Sequence, residues 1–484
     1  MNPFSSATAM LAALDRRELS CAELTELHIE RIERHDEKLN VVVVRDFGRA
    51  REAARAADAA RARGERRPLL GIPVTVKESI NVAGLRTTSG VSAYAQNVAS
   101  YDASVVTRLR DAGAIVLGKT NVSWDLTDWQ ATNPVYGRTA NPWDLDRSPG
   151  GSSGGSAAVA AGLTPIDLGS DIGGSVRVPG AFCGVFGHKA SETALPKSGQ
   201  RMSPPLPNPP SLMGVMGPIT RDAADAALTM DVLGGPEGGE EAAWRFTLPA
   251  ARREHLKDFR VAVLPQVEWA PVSADIAAAR QHAIDALARA GVHVREVQPA
   301  CFGDLREYFR LYRQLLGAAM GLRLDAAERA RRIALFRAAD WEFSDAHAHG
   351  LEATAAEFFS WHRGRERVRA VWAEFFRDWD IVLAPITLFA PYRQIDVQGP
   401  GSGAGFKIAV DDQDVIYQMQ LFYPSLATLP GLPATSVPLG LTRGGLPVGL
   451  QAIGPYLEDK TTLRFAALCA EALGGVLTPP MFAA

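Results

Sequence analysis

Two glycine-rich turns presenting serines lie close together in the chain: Gly150-Gly151-Ser152-Ser153-Gly154-Gly155-Ser156, then Gly169-Ser170-Asp171-Ile172-Gly173-Gly174-Ser175-Val176-Arg177. Glycine admits the backbone torsions by which successive N–H groups converge on one point, and a developing oxyanion requires that convergence. A phosphate cradle follows similar logic. However, the Walker A pattern needs Lys and then Ser or Thr directly after its last glycine, and the first turn lacks the lysine.

A serine nucleophile needs a base. Most of the nine histidines fall on polar faces of predicted helices, where a solvated side chain is expected. His188 ends the apolar segment Gly184-Val185-Phe186-Gly187 and reads as structural. Lys77, by contrast, follows the strand-like Ile72-Pro73-Val74-Thr75-Val76, from which a buried stem would carry its amine into a cleft. Burial lowers a lysine pKa toward neutrality, and only the neutral amine accepts a proton. A lone lysine after a strand is a surface charge in most proteins, so the residues alone leave both readings open.

The elements around these groups alternate in type. Ser20 and Glu23 form an S-x-x-E capping box ahead of Leu24, Leu27, Ile29 and Ile32, and 51–63 is Ala/Arg-rich, so the first sixty residues read as helices. Residues 72–76 and 114–117 read as short buried strands separated by a helix over 104–112, which argues for βα winding. A helix over 157–161 and a strand over 166–168 punctuate the Gly/Ser-dense stretch that carries the two turns. The Pro-rich 198–210 segment reads as a surface loop placed to border a cleft. Long helices fill 305–379, and their Phe358, Trp361, Trp372 and Phe376 read as packed core. A strand at 381–384 precedes a Gly-rich loop over 394–405, of a kind that is either functional or disordered.

With 484 residues and 47% hydrophobic content the chain buries a large core, although length alone allows one large domain or up to three. Lys and Arg number 51 against 54 acidic residues, which excludes an electrostatic case for nucleic acid or an anionic membrane and favours a small neutral substrate. Cys21, Cys183, Cys301 and Cys469 are too scattered for a disulfide framework or a zinc site and read as thiols in a reducing cytosol. No metal or cofactor is expected. There is no signal-like N-terminus and no apolar run of the roughly 18 residues a membrane span needs, so a cytoplasmic location is expected.

Gly71-Ile72-Pro73-Val74-Thr75-Val76-Lys77-Glu78 and the two serine turns together resemble the amidase signature family of serine hydrolases. The likeness extends through Gly118-Lys119-Thr120-Asn121, Phe182-Cys183-Gly184, Gly217-Pro218-Ile219-Thr220-Arg221, Leu429-Pro430-Gly431-Leu432-Pro433 and Gly445-Leu446-Pro447-Val448-Gly449-Leu450-Gln451, nearly the whole chain. It implies one large α/β domain over 1–484, a central mixed sheet flanked by helices (α/β/α). Its parts would be N-terminal helices (1–66), a catalytic core (67–235), a helical insertion around 305–379 with a substrate loop to about 410, and a C-terminal return (411–484).

Carried over residue by residue, the resemblance implies that Ser175 is the nucleophile, Ser152 a bridging serine after a cis peptide bond, and Lys77 the base. The N–H groups of Ile172, Gly173, Gly174 and Ser175 would form the oxyanion hole, with Ser170, Asp171 and Arg177 in support. Glu78 stands where Asp is commoner, and Ala190 where Lys-Pro is usual. The helix after the first turn is one residue short, leaving Ser152 and Ser175 only 23 positions apart. That shortening makes Ser153 an alternative to Ser152. The segments Asp128-Trp129-Gln130, Asn133 to Arg138 and Asn141-Pro142-Trp143-Asp144 look most like a bacterial branch containing aryl acylamidases and urethanases. The expected function is hydrolysis of amides, anilides and carbamates by a monomer or homodimer. The alternatives are a glutaminase-type subunit of a tRNA-dependent amidotransferase and a non-catalytic binding protein. Selectivity is expected from Ala140, Asn141, Gly151 and Gln398 flanking the cleft.

Overall fold

In a computed structural model that describes residues 1–201, 206, 212–396 and 404–483, the capping box forms as its residues dictate. Ser20 Oγ accepts from Glu23 N–H at 3.1 Å, the Glu23 carboxylate takes the Ser20 N–H at 2.7 Å, and the helix Cys21–Leu39 follows. Helices Ala7–Asp15 and Phe47–Ala62 flank it. The all-helical reading of this region misses one element. Val42–Arg45 is a short strand, paired antiparallel with Ile115–Thr120, because a run of valines fits a pleated surface better than a helix.

The strands 72–76, 114–117 and 166–168 anticipated from the sequence are Pro73–Lys77, Ile115–Thr120 and Ile166–Asp171, neighbours in one mixed sheet of eleven strands. Its spatial order is Val42–Arg45, Ile115–Thr120, Pro73–Lys77, Ile166–Asp171, Val215–Thr220, Phe186–Lys189, Ala434–Leu441, Pro447–Ile453, Ile381–Pro385, Arg260–Val263, His293–Glu296. Pro73–Lys77 runs parallel to both of its neighbours, whereas the pairs from Ile166–Asp171 to Ile381–Pro385 are antiparallel. Along Ile115–Thr120, Ile115 and Leu117 join one apolar cluster while Val116 joins another. That alternation is the period of two of a strand covered on both faces, here by some of the fourteen α-helices among the described residues. The protein is a large α/β domain with helices on both sides of a mixed sheet.

Helices Leu305–Gly321, Ala326–Ala338, Ser344–Leu351 and Ala355–Asp378 form the expected helical stretch. Trp372 and Phe376 are buried, and Phe358 and Trp361 pack partly buried against the same cluster, as core residues do. Gly350 lets two of these helices touch, since a Cβ there would lie 2.1 Å from the Gln314 carbonyl oxygen. The expectation that helix histidines are solvated fails at His28 and His347, which are both buried. Among the described residues no helix is long and apolar enough to cross a membrane.

Candidate active site

Lys77 is the last residue of Pro73–Lys77, and its side chain is wholly buried. Its Nζ donates to Ser152 Oγ at 2.7 Å, to Ser170 Oγ at 3.1 Å and to the Ser170 carbonyl at 3.3 Å. Burial, reinforced by the Arg201 charge and only partly opposed by Asp171 and Asp167, brings its pKa down to about 7. The amine is therefore largely neutral at mildly alkaline pH. Asp167 on the adjacent strand accepts from the hydroxyls of Thr75 (2.8 Å) and Thr120 (2.9 Å), tying three neighbouring strands together. Gly155 leaves room for that carboxylate, since a Cβ would fall 2.0 Å from Asp167 Oδ2.

The peptide bond Gly151–Ser152 is cis. Ser152, not Ser153, is the serine beside the lysine; Ser153 Oγ instead donates to the Ser170 carbonyl at 3.3 Å. Ser152 and Ser175, both nearly buried, line one cavity of about 360 Å³ together with Ser170, Asp171 and Ile172. The second turn is braced by Asp171, which accepts from the N–H groups of Gly174 (2.9 Å) and Val176 (3.1 Å) and forms a 2.9 Å ion pair with buried Arg177. Burial pushes the Asp171 carboxyl up, but Arg177 outweighs it and holds the group down at about 2. Arg177 also donates to Gln451 Oε1 (2.7 Å) and to Thr428 Oγ1 (2.9 Å), so the C-terminal segments hold the turn from behind.

The structure corrects two expectations. The Gly174 N–H is directed at Asp171, which leaves the amides of Ile172, Gly173 and Ser175 as the candidates for an oxyanion site. Ala140 and Asn141 do not line the cavity. Asn141 Nδ2 donates to the carbonyls of Ser148 (2.9 Å) and Phe182 (3.0 Å), clamping the loop that leads into the first turn. Gly151 sits under the backbone of 128–130, since a Cβ there would lie 2.7 Å from the Asp128 carbonyl oxygen. Gln398 lies outside the described residues. Glu78, one of the departures from the family pattern, accepts from Thr88 N–H (2.6 Å), Ser89 N–H (2.8 Å) and Tyr136 Oη (2.9 Å), positioning a loop rather than a reacting group.

Sequence reasoning missed two aromatic side chains behind the second turn. Trp129 Nε1 donates to the Gly173 carbonyl and Tyr312 Oη to the Ile172 carbonyl, each at 2.9 Å. Each fixes a peptide plane of the turn by its carbonyl end, and with it the direction of the N–H on the opposite side. Trp129 falls inside a segment singled out above. Tyr312 carries no local signal, being 140 positions away. The outer cavity is walled by Leu206 from the Pro-rich segment, by Leu212 and Gly214 just after it, and by Met320, Leu322 and Arg323 from the helical stretch.

A buried lysine, a serine after a cis bond and a second serine on a glycine turn, gathered at the ends of interior strands of a mixed sheet, form a serine-hydrolase-type site with no histidine among the described lining residues. The Amidase family model matches residues 23–463, and the chain belongs to that family of hydrolases acting on C–N bonds. It is 32% identical over 475 residues to a subunit of the glutamyl-tRNA(Gln) amidotransferase of Roseiflexus castenholzii, covering 93% of this chain and 92% of that one. Among solved structures, it superposes on a bacterial aryl acylamidase of the amidase signature enzymes with a TM-score of 0.78 and 26% identity, over 97% and 96% of the two chains. With the peptide amidase of Stenotrophomonas maltophilia the TM-score is 0.76 at 25% identity, over 99% and 98% of the two chains.

Proposed function

We propose that this protein is a stand-alone hydrolase of amides, anilides and carbamates, with Ser175 as nucleophile, Ser152 as proton bridge and Lys77 as base. The observation that carries the reading is the wholly buried Lys77 amine, brought to about neutral pKa and 2.7 Å from Ser152 Oγ in the cavity that Ser175 also lines. Ser175 Oγ attacks the carbonyl carbon while its proton passes to Ser152, whose own proton moves to the lone pair of the neutral Lys77. The oxygen that takes the electron pair is held by the amides of Ile172, Gly173 and Ser175. As the tetrahedral intermediate collapses, the proton returns through Ser152 to the leaving nitrogen and an acyl-Ser175 ester remains. Water, deprotonated by the same relay, then cleaves the ester.

The 32% identity to a glutamyl-tRNA(Gln) amidotransferase component favours a second reading, a glutaminase subunit that works only with partners. Purified alone, the protein should hydrolyse a neutral anilide and, more slowly, an aryl carbamate, and a fluorophosphonate should label Ser175. Turnover of glutamine with no turnover of the anilide would favour the amidotransferase reading.

A further inference from the structure

Resting on the hydrolase reading above, we infer that the cavity selects amide substrates in which one arm ends in a carboxylate, received by Arg323 with Arg201 beside it. On the floor, the Asp171 charge is cancelled by Arg177. Arg201 Nη1 faces the Asp125 carboxylate at 3.4 Å while Nη2 donates to the Asp125 carbonyl at 2.7 Å, so this guanidinium is anchored and matched. Lys197 lies 3.6 Å from Glu192, a carboxylate already shared by Arg365 and Arg369. Arg323 also lines the cavity, and among the described residues it makes no hydrogen bond or ion pair. The side chain is exposed at the cavity mouth, yet partial desolvation and the Arg201 charge both act against its protonated form, while Asp125 supports it. Asp125 is thus taken by Arg201, Arg323 has no carboxylate within ion-pair distance among the described residues, and the cavity keeps an excess of positive charge.

Much of the remaining wall is apolar, with Leu126, Leu212, Met320 and Leu322 among its side chains. An acyl or leaving arm made of a short methylene chain and a terminal carboxylate meets both features. The chain covers apolar surface, and the carboxylate forms charge-assisted hydrogen bonds with a guanidinium that has none from the described residues. An ammonium at the same position meets like charge. The formal charge of −3, averaged over the whole surface, says nothing about this local excess, which is why composition pointed to a neutral substrate.

The test compares three anilides on the full chain: glutaranilic acid, pentananilide and 5-aminopentananilide, which share a five-carbon acyl arm and differ in terminal charge. The expected order of kcat/KM is carboxylate, neutral, ammonium, the first step being roughly ten- to a hundred-fold, the range of a hydrogen bond to a charged group. Salt should narrow it. Arg323→Gln should erase most of the carboxylate preference, and Arg323→Glu should reverse the order of the two charged substrates. Thermal unfolding checks that each variant is folded, and the Gln variant stands in should the Glu variant not fold. Wild-type values within about twofold across the series, or an order untouched by both variants, would overturn the inference. Absence of turnover with all three also overturns it, and fluorophosphonate labelling of Ser175 then decides whether the hydrolase reading falls too.

Discussion

The cavity floor and the cavity wall handle charge in opposite ways. On the floor, Asp171 and Arg177 are both fully buried, lie 2.9 Å apart and spend their remaining hydrogen bonds on backbone amides, the Pro424 carbonyl, Gln451 and Thr428. Lys77 is equally buried, but its neighbours are hydroxyls and a carbonyl, so burial drives it toward the neutral amine. On the wall, Arg201 is paired with Asp125 while Arg323 makes no ion pair among the described residues, both standing among leucines and methionine. The floor stands on strand ends and is braced from across the sheet, whereas the wall comes from an irregular segment and a helix end. Paired charges brace the serine turn on the floor, and an unpaired guanidinium stands on the wall.

The sharpest way to break this contrast is at the floor. Ser175→Ala should lower kcat by at least about 10⁴-fold, because no other atom takes the acyl group, with the thermal unfolding midpoint unchanged. Ser152→Ala should retain a trace. Near wild-type turnover by the Ser175 variant would remove the proposed chemistry from this site. Arg177→Met tests the bracing itself. It strands the Asp171 carboxylate in the interior, and should cost roughly 3–5 kcal/mol in denaturant unfolding; a loss below about 1 kcal/mol would mean that water reaches the pair.

Where floor and wall communicate, the effect is smaller. The acid limb of kcat/KM should titrate near pH 7, activity rising as Lys77 loses its proton. Removing the Arg201 charge in Arg201→Gln favours the protonated amine, so the limb should move to higher pH. A shift to lower pH, or none, would show that the wall charge is not felt at the base. Smallest of all, Tyr312→Phe removes the hydrogen bond to the Ile172 carbonyl and should lower kcat by roughly tenfold with KM little changed. An effect confined to KM would place Tyr312 in substrate binding instead.

The elements that carry the floor were legible because their signals are local. Ser20 and Glu23 are three residues apart, Val74 and Val76 share one strand, and each glycine turn lies within nine residues, so torsional preference and short-range hydrogen bonding declare them without help from the rest of the chain. Lys77, Ser152 and Ser175 were singled out differently, their roles coming from the family resemblance and not from local preference. Failures came where local preference was read as if it decided burial. His28 and His347 lie on helices whose polar residues suggest solvent, yet both are covered by other parts of the chain. Asn141, read as a specificity position, is spent clamping two carbonyls, one of them 41 positions away.

By itself the sequence determined which short segments form strands, turns and caps, since those depend on torsions and on neighbours a few positions away. Only the tertiary structure decided that Lys77 loses its charge near neutrality, and that Ser152 rather than Ser153 stands at 2.7 Å from it. It also decided that the Gly174 amide is held by Asp171, and that Met320 and Arg323 line the cavity. Each of those outcomes depends on desolvation or on contact between atoms brought together by packing, and both are set by the whole fold, not by the spacing of residues along the chain.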